Sequence, residues 1–237
     1  MTLLEFGAIA LAVLAGGLVQ GATGVGFALI VAPLLGLLAP TLLPVTVLLL
    51  MLPLNVYVLW RERAALDGPG AAWITAGRIA GTLGGVWVLL ALSARQLDLF
   101  VGGATVAAVA ATVVAPAFTP GPRAFGLAGL VTGVTETATG IGGPPLALVY
   151  QHQPVAVMRS TIAFCFLVGQ LVSLGALLAA GRIGSSQLLA AGQLLPALVV
   201  GAVLSHVVHD RVQTRFLRAF VLVFALASGV LLLVRAI

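Results

Sequence analysis

The chain has 237 residues, of which 61% are hydrophobic and only 7% charged. A soluble domain carries roughly a quarter charged residues, so the composition excludes a water-facing globule and predicts a chain embedded in lipid, in line with a mean hydropathy of +1.22. The net charge of +5 comes from arginines scattered between apolar stretches, with no lysine, a pattern that sets membrane topology and argues against a nucleic-acid partner.

The first apolar stretch, 3–21, follows no basic segment and carries Glu5. It reads as a first span and not as a cleaved signal. The glycine-rich run GATGVG comes next, then a shorter apolar stretch, 27–38, and a turn bracketed by Pro40 and Pro44. A span over 45–60 stops at Arg61, Glu62 and Arg63, and two more cover 72–92 and 97–114. APAFTPGPR, at 115–123, reads as a linker. The pattern then restarts. A small-residue stretch at 126–139 leads into ATGIGGPP, a short LALVY and the polar QHQP. Spans at 155–180, 188–208 and 216–234 follow. Cys165 is the single cysteine, so no internal disulfide forms. Abundant glycine and alanine favour close-packed helices, and the spans lack the alternation of a membrane β-barrel. The fold class expected is all-α: one polytopic transmembrane bundle over 1–237.

The restart is an internal repeat, with halves at 3–114 and 124–235. ATGVG at 22–26 matches ATGIG at 138–142, Gly17 aligns with Gly133, and Gln20 falls opposite Glu136. If each half has four spans, the halves are parallel and the arginines divide six to five between the two sides. If the short segment after each glycine block is a separate crossing or a re-entrant piece, each half has five. The halves are then inverted, and the arginines divide eight to three, with Arg78 in the larger group. The second division obeys the positive-inside rule and predicts inverted halves with both termini outside.

Clustered glycines weaken a helix, while Pro144 and Pro145 suit the first turn of a new one. Each glycine block is therefore expected to end one helix and open another inside the membrane. Such broken backbone is tolerated only where protein or a water-filled cavity satisfies it. Two helix starts facing each other near the midplane would present N–H groups to an anion. Thr23, Gly24 and Gly26 of the first block, with Thr139, Gly140, Gly142 and Gly143 of the second, are candidate substrate-binding residues. The plainer alternative is that the glycines only allow close helix packing. Glu136 is the one acid far from any interface, and an intramembrane carboxylate is a functional candidate by default. Its expected role is proton coupling, against a structural, hydrogen-bonded glutamate.

Gln20, Asn55 and Gln170 could line the same cavity or bond between helices. Arg159, after the polar patch holding His152, could draw anions to the inner mouth or simply snorkel, as could Arg78. His206 and His209 beside Asp210 have i, i+3 spacing, which reads as interfacial structure and not as a metal site. No cofactor is expected, and no Walker A, GxSxG or HExxH motif points to an enzyme.

With GATGVGFALIVAPLL in one half and ETATGIGGPPLALVY in the other, the chain resembles the TauE/SafE sulfite-exporter family of bacterial permeases. The resemblance implies an inner-membrane exporter of sulfite, sulfonates or related sulfur oxyanions, driven by the proton gradient. Phe27 and Ala28 stand where the second block has Gly143 and Pro144, so the two half-sites are expected to differ. The partners implied are a small anionic substrate and the lipid bilayer, with a homodimer left open. A channel or carrier for another small solute and a non-transporting assembly subunit remain as alternatives.

Overall fold

A computed structural model describes residues 2–114 and 119–208, together with scattered positions between 223 and 236. The described residues form helices and no strands. In chain order they are α1 (Leu3–Thr23), α2 (Phe27–Leu38), α3 (Val45–Glu62), α4 (Gly68–Ala91), α5 (Ala94–Val114), α6 (Pro122–Thr139), α7 (Gly143–Tyr150), α8 (Val155–Ala179) and α9 (Ser185–Val208). Five of the described helices are long and apolar enough to cross a bilayer: α1, α3 with its terminal 3-10 turn, α4, α8 and α9. The protein is therefore a multi-pass membrane protein. The span expected at 216–234 lies largely outside the described residues.

Local chemistry sets the helix ends. Thr2 and Glu5 form a reciprocal capping box at the start of α1. Asp67 caps α4 by accepting from the Gly70 N–H. α1 and α6 both stop on a left-handed glycine, Gly24 at φ 86° and Gly140 at φ 83°, a conformation that a side chain would oppose. α2 and α7 are about 18 and 12 Å long at the usual helical rise, well short of a ~30 Å hydrocarbon core.

Two pairings that cross between the sequence halves hold the bundle: α1 with α9, and α4 with α6. Both depend on glycine. Gly77 abuts the Gly126 carbonyl, Gly81 that of Leu130 and Gly85 that of Val134; a Cβ at Gly85 would stand 2.7 Å from the Val134 oxygen. Successive turns of α4 meet successive turns of α6, so these helices are parallel. Gly17 faces the Leu198 carbonyl and Gly21 the Ser205 side chain, which makes α1 and α9 parallel as well.

α3 and α8 lie between the two pairs and run antiparallel. Asn55 of α3 bonds Gln170 of α8, and Glu62 near the end of α3 meets Arg159 near the start of α8. α3 follows the direction of α1, since Asn55 bonds Gln20 and Arg61 reaches the Gly21 carbonyl. α8 follows α4, with Cys165 near the Ala71 carbonyl and Ser173 near Thr82. So α1, α3 and α9 point one way, and α4, α6 and α8 the other.

This arrangement corrects the topology count at one position. Arg78 lies at no membrane face: it sits in the middle of α4 with no exposed surface. Arg61, Arg63, Arg123 and Arg159 remain at one set of helix ends, and Arg95 and Arg182 at the other. Arg211, Arg215, Arg218 and Arg235 lie outside the described residues.

The glycine contacts predict an asymmetric outcome for two neighbouring substitutions. Gly77→Ala drives a methyl into the Gly126 backbone, and overpacking of this kind costs about 1–3 kcal/mol. Gly126→Ala meets open space and should be neutral or mildly stabilising. Thermal unfolding of the detergent-purified protein separates the two.

Candidate functional site

Four of the candidate residues, Gln20, Asn55, Glu136 and Gln170, fall into one buried polar chain. The Phe27 N–H, first in α2, donates to Gln20 Oε1 at 3.1 Å. Gln20 Nε2 donates to Asn55 Oδ1 at 3.0 Å, Asn55 Nδ2 to Gln170 Oε1 at 3.1 Å, and Gln170 Nε2 to Glu136 Oε1 at 2.9 Å. Arg78 completes the run with an ion pair to Glu136 Oε2. All five side chains are at most 1% exposed. Each amide accepts from one neighbour and donates to the next, so the donors all point towards the carboxylate. In hydrocarbon these groups would be very costly unpaired, and the chain satisfies them mutually.

The two glycine blocks themselves touch. Val25 of the first lies against Gly143 of the second, where a Cβ would stand 3.7 Å from the valine Cβ. Gly24 packs on the Arg159 side chain and Gly140 on Val47. Gly142 lies against Glu136, and its carbonyl accepts from Thr132 Oγ1 at 3.2 Å. Gly24, Gly26, Gly140, Gly142 and Gly143 are all buried.

The threonines serve their own helix ends. Thr23 Oγ1 lies 2.9 Å from the Val19 carbonyl and 2.6 Å from that of Val25. Thr139 Oγ1 donates to the Thr135 carbonyl at 2.7 Å and accepts from the Ile141 N–H at 3.1 Å. In this conformation the helix starts offer few free donors. Gln20 takes the Phe27 N–H, and Pro144 and Pro145 have none. A cavity of about 440 Å³ opens beside the second block, between α5, α6 and α7. Apart from Thr135 its lining, which includes Ala104, Ala107, Val131 and Pro144, is apolar, and no member of the polar chain reaches it.

Arg159, near the start of α8, lies at the C-terminal ends of α1 and α3. It pairs with Glu62 through Nε at 2.9 Å and Nη2 at 2.8 Å, while Nη1 donates to the Ala22 carbonyl at 2.9 Å. Arg61 donates to the neighbouring Gly21 carbonyl at 2.8 Å. Two cations thus cap the C-terminal end of α1, where the helix dipole favours positive charge. Nearby, the Tyr150 hydroxyl donates to Asp67 Oδ2 at 2.8 Å and the Asp67 N–H to Thr161 Oγ1 at 3.0 Å. His152 and His206 are exposed, and the described residues hold no cluster suited to a metal. His209 and Asp210 lie outside them.

Sequence reasoning found Gln20, Asn55, Glu136 and Gln170 but missed Arg78 as their partner. The signal was present. An isolated arginine between Gly77 and Gly81, inside a long apolar stretch, needs a counter-charge, and Glu136 is the one intramembrane acid available. Asp67 and Tyr150 went unremarked, and Glu62 was read only as the end of a span, because they flank spans, where polar residues are routine.

The ion pair sets up a double-mutant test. Arg78→Leu leaves Glu136 buried and unpaired, a loss that typically costs about 3–5 kcal/mol. Combining it with Glu136→Gln should recover a large part of that cost, because both charges are then gone. Unfolding temperatures of the two single mutants and the double mutant measure the coupling, and additive losses would mean that the pair does not act as a unit.

Comparison with known proteins agrees with this architecture. The family model described as "Sulfite exporter TauE/SafE" matches residues 8–232, nearly the whole chain. No curated protein and no solved structure matches it. The family is one of membrane transporters. The chain belongs to the sulfite exporter TauE/SafE family.

Proposed function

We propose that the protein is a secondary transporter in the bacterial inner membrane. Its cargo is a small anion, sulfite or another sulfur oxyanion or organosulfonate, moved by alternating access coupled to the proton gradient. The observation that carries this reading is the buried chain from Gln20 to Glu136, which ties one glycine block to the other in the middle of an exporter-family bundle. A polar network at that depth has a cost, and membrane proteins place such groups on ion and substrate paths.

In this reading the two halves are inverted. Matched by order in the repeat, α1 and α6 run in opposite directions, as do α3 and α8, and α4 and α9. Inversion of this kind supports a midplane site built at broken helices. The bodies that move are the tight pairs α1/α9 and α4/α6, each drawn from both halves, with α3 and α8 between them. Gln20 rides on the first pair and Glu136 on the second, so a rocking motion strains the chain that joins them. Parting the glycine blocks, where Val25 meets Gly143, makes room for the anion. Thr23, Gly24 and Gly26 then form one wall of the site, and Thr139, Gly140, Gly142 and Gly143 the other. Asn55 and Gln170 span them, and Arg159 stands at the inner mouth.

Glu136 supplies the coupling. Ionised, it holds Gln170 and Arg78. Protonated, it loses the charge that fixes both. An arriving anion repels the ionised form, so anion binding takes up a proton and tightens as pH falls. Glu136→Gln imitates the protonated carboxyl. Vesicles reconstituted with this variant should bind sulfite within a few-fold of wild type, yet lose most of the flux driven by an imposed pH gradient. If flux through the variant follows pH as the wild type does, Glu136 is structural only.

A further inference from the structure

We propose that Arg78 is the anion's counter-charge, and that the single Arg78–Glu136 pair restricts the cargo to monoanions, each carried with one proton on Glu136. This rests on the transporter reading above and adds to it a charge rule for the substrate.

Arg78 is held as a guanidinium with capacity to spare. Its Nη2 meets Glu136, while Nε and Nη1 are buried with no hydrogen-bond partner among the described residues. The Phe166 ring lies below it, 5.3 Å from guanidinium carbon to ring centroid. Gly169 leaves the space it occupies, since a Cβ there would collide with Nε and Cζ. A buried charged group with unmet donors needs an explanation. A ligand rich in acceptor oxygens supplies one, and oxyanions suit the guanidinium fork.

The charges that face this centre can be enumerated among the described residues. α4 contributes Arg78 itself. α8 contributes the neutral Gln170 and, more than a turn away, the buried Cys165 thiol. α7 brings the backbone at Gly142, and its one titratable side chain, Tyr150, is at the far end bonded to Asp67. On α6, Arg123 is at the opposite end from Glu136. Arg95 and Asp98 lie in the first turns of α5. Arg61 and Arg159 sit at the inner helix ends and are engaged by Glu62.

The empty centre, with Arg78 and Glu136 ionised, is neutral. A monoanion that displaces the carboxylate from Arg78 restores neutrality only when Glu136 takes a proton from solvent. The loaded centre is then one guanidinium, one monoanion and one neutral carboxyl. A dianion would leave a net negative charge in the bilayer core with no further cation facing it among the described residues, which the low dielectric opposes. The pairing across α1 and α9 supplies none: Gln20 and Leu198 there occupy the places of Glu136 and Arg78.

The test is calorimetric titration of the full-length protein in lipid nanodiscs at neutral pH, with methanesulfonate as a permanent monoanion and sulfate as a dianion. Repeating it in two buffers of different ionisation heat counts protons. Methanesulfonate should bind with uptake of about one proton, and sulfate at least roughly tenfold more weakly. Glu136→Gln should bind methanesulfonate without proton uptake. Arg78→Leu, checked for a monodisperse fold, should lose binding. Equal affinity for sulfate, binding by the wild type without proton uptake, or retained binding in Arg78→Leu would overturn the proposal. The wild-type selectivity and proton count decide it even if Arg78→Leu fails to fold. If reconstituted vesicles carry only neutral solutes, the anion-transporter reading falls and this proposal with it. If they carry anions without regard to charge, this proposal alone falls.

Discussion

A guanidinium and a carboxylate placed in the bilayer core have no water to turn to, and the rest of the bundle is arranged around that fact. Arg78 and Glu136 can meet because α4 and α6 approach at glycine, with Gly81, Gly85 and Gly133 letting backbone lie on backbone. The carboxylate's second oxygen would still be unmet. Gln170 fills it, its own carbonyl then accepts from Asn55, and the demand passes on through Gln20 to the first N–H of α2. The broken helix after α1 is therefore tied by hydrogen bonds to an ion pair on the other side of the molecule. Removing any one amide leaves its two neighbours unsatisfied.

The two cross-half pairings resemble each other in geometry and differ in charge. The Leu198 carbonyl faces Gly17 as the Arg78 carbonyl faces Gly133. Gln20 lies in α1 three residues past Gly17, as Glu136 lies three past Gly133. One framework thus holds a leucine and an amide on one side and a salt bridge on the other. The small residues and backbone contacts keep the two pairings alike in shape, which leaves a few side chains free to make the two sides unlike.

Much of this was legible from the chain alone. Helix breaks at ATGVG and ATGIG follow from glycine's access to positive φ, and the structure places Gly24 and Gly140 there. Gln20, Asn55, Glu136 and Gln170 stood out because polar groups are scarce in such a sequence. What could not be read was partnership. Hydropathy places a residue along its own helix but does not say which helix lies beside it. Arg78 read as an interfacial residue because its span was taken to begin at Ala72, whereas Asp67 caps the helix a turn earlier and carries Arg78 deeper. The crossing of α1 to α9 and of α4 to α6 has no signature in a repeat pattern, which implies two halves but not how they interlock.

That interlocking bears on how the protein is made. A chain is inserted from its N-terminus, and α1 and α4 enter lipid well before α9 and α6 exist. Their glycine faces, which in the finished bundle lie against backbone, must wait uncovered in the bilayer. Lipid tolerates this, because an apolar helix is stable there on its own and association is a separate, later stage. Neither half can complete its packing without the other. Of the described helices, α1 is the earliest in the chain and among the last to find its neighbour, so its packing waits on α9, in the last third of the sequence.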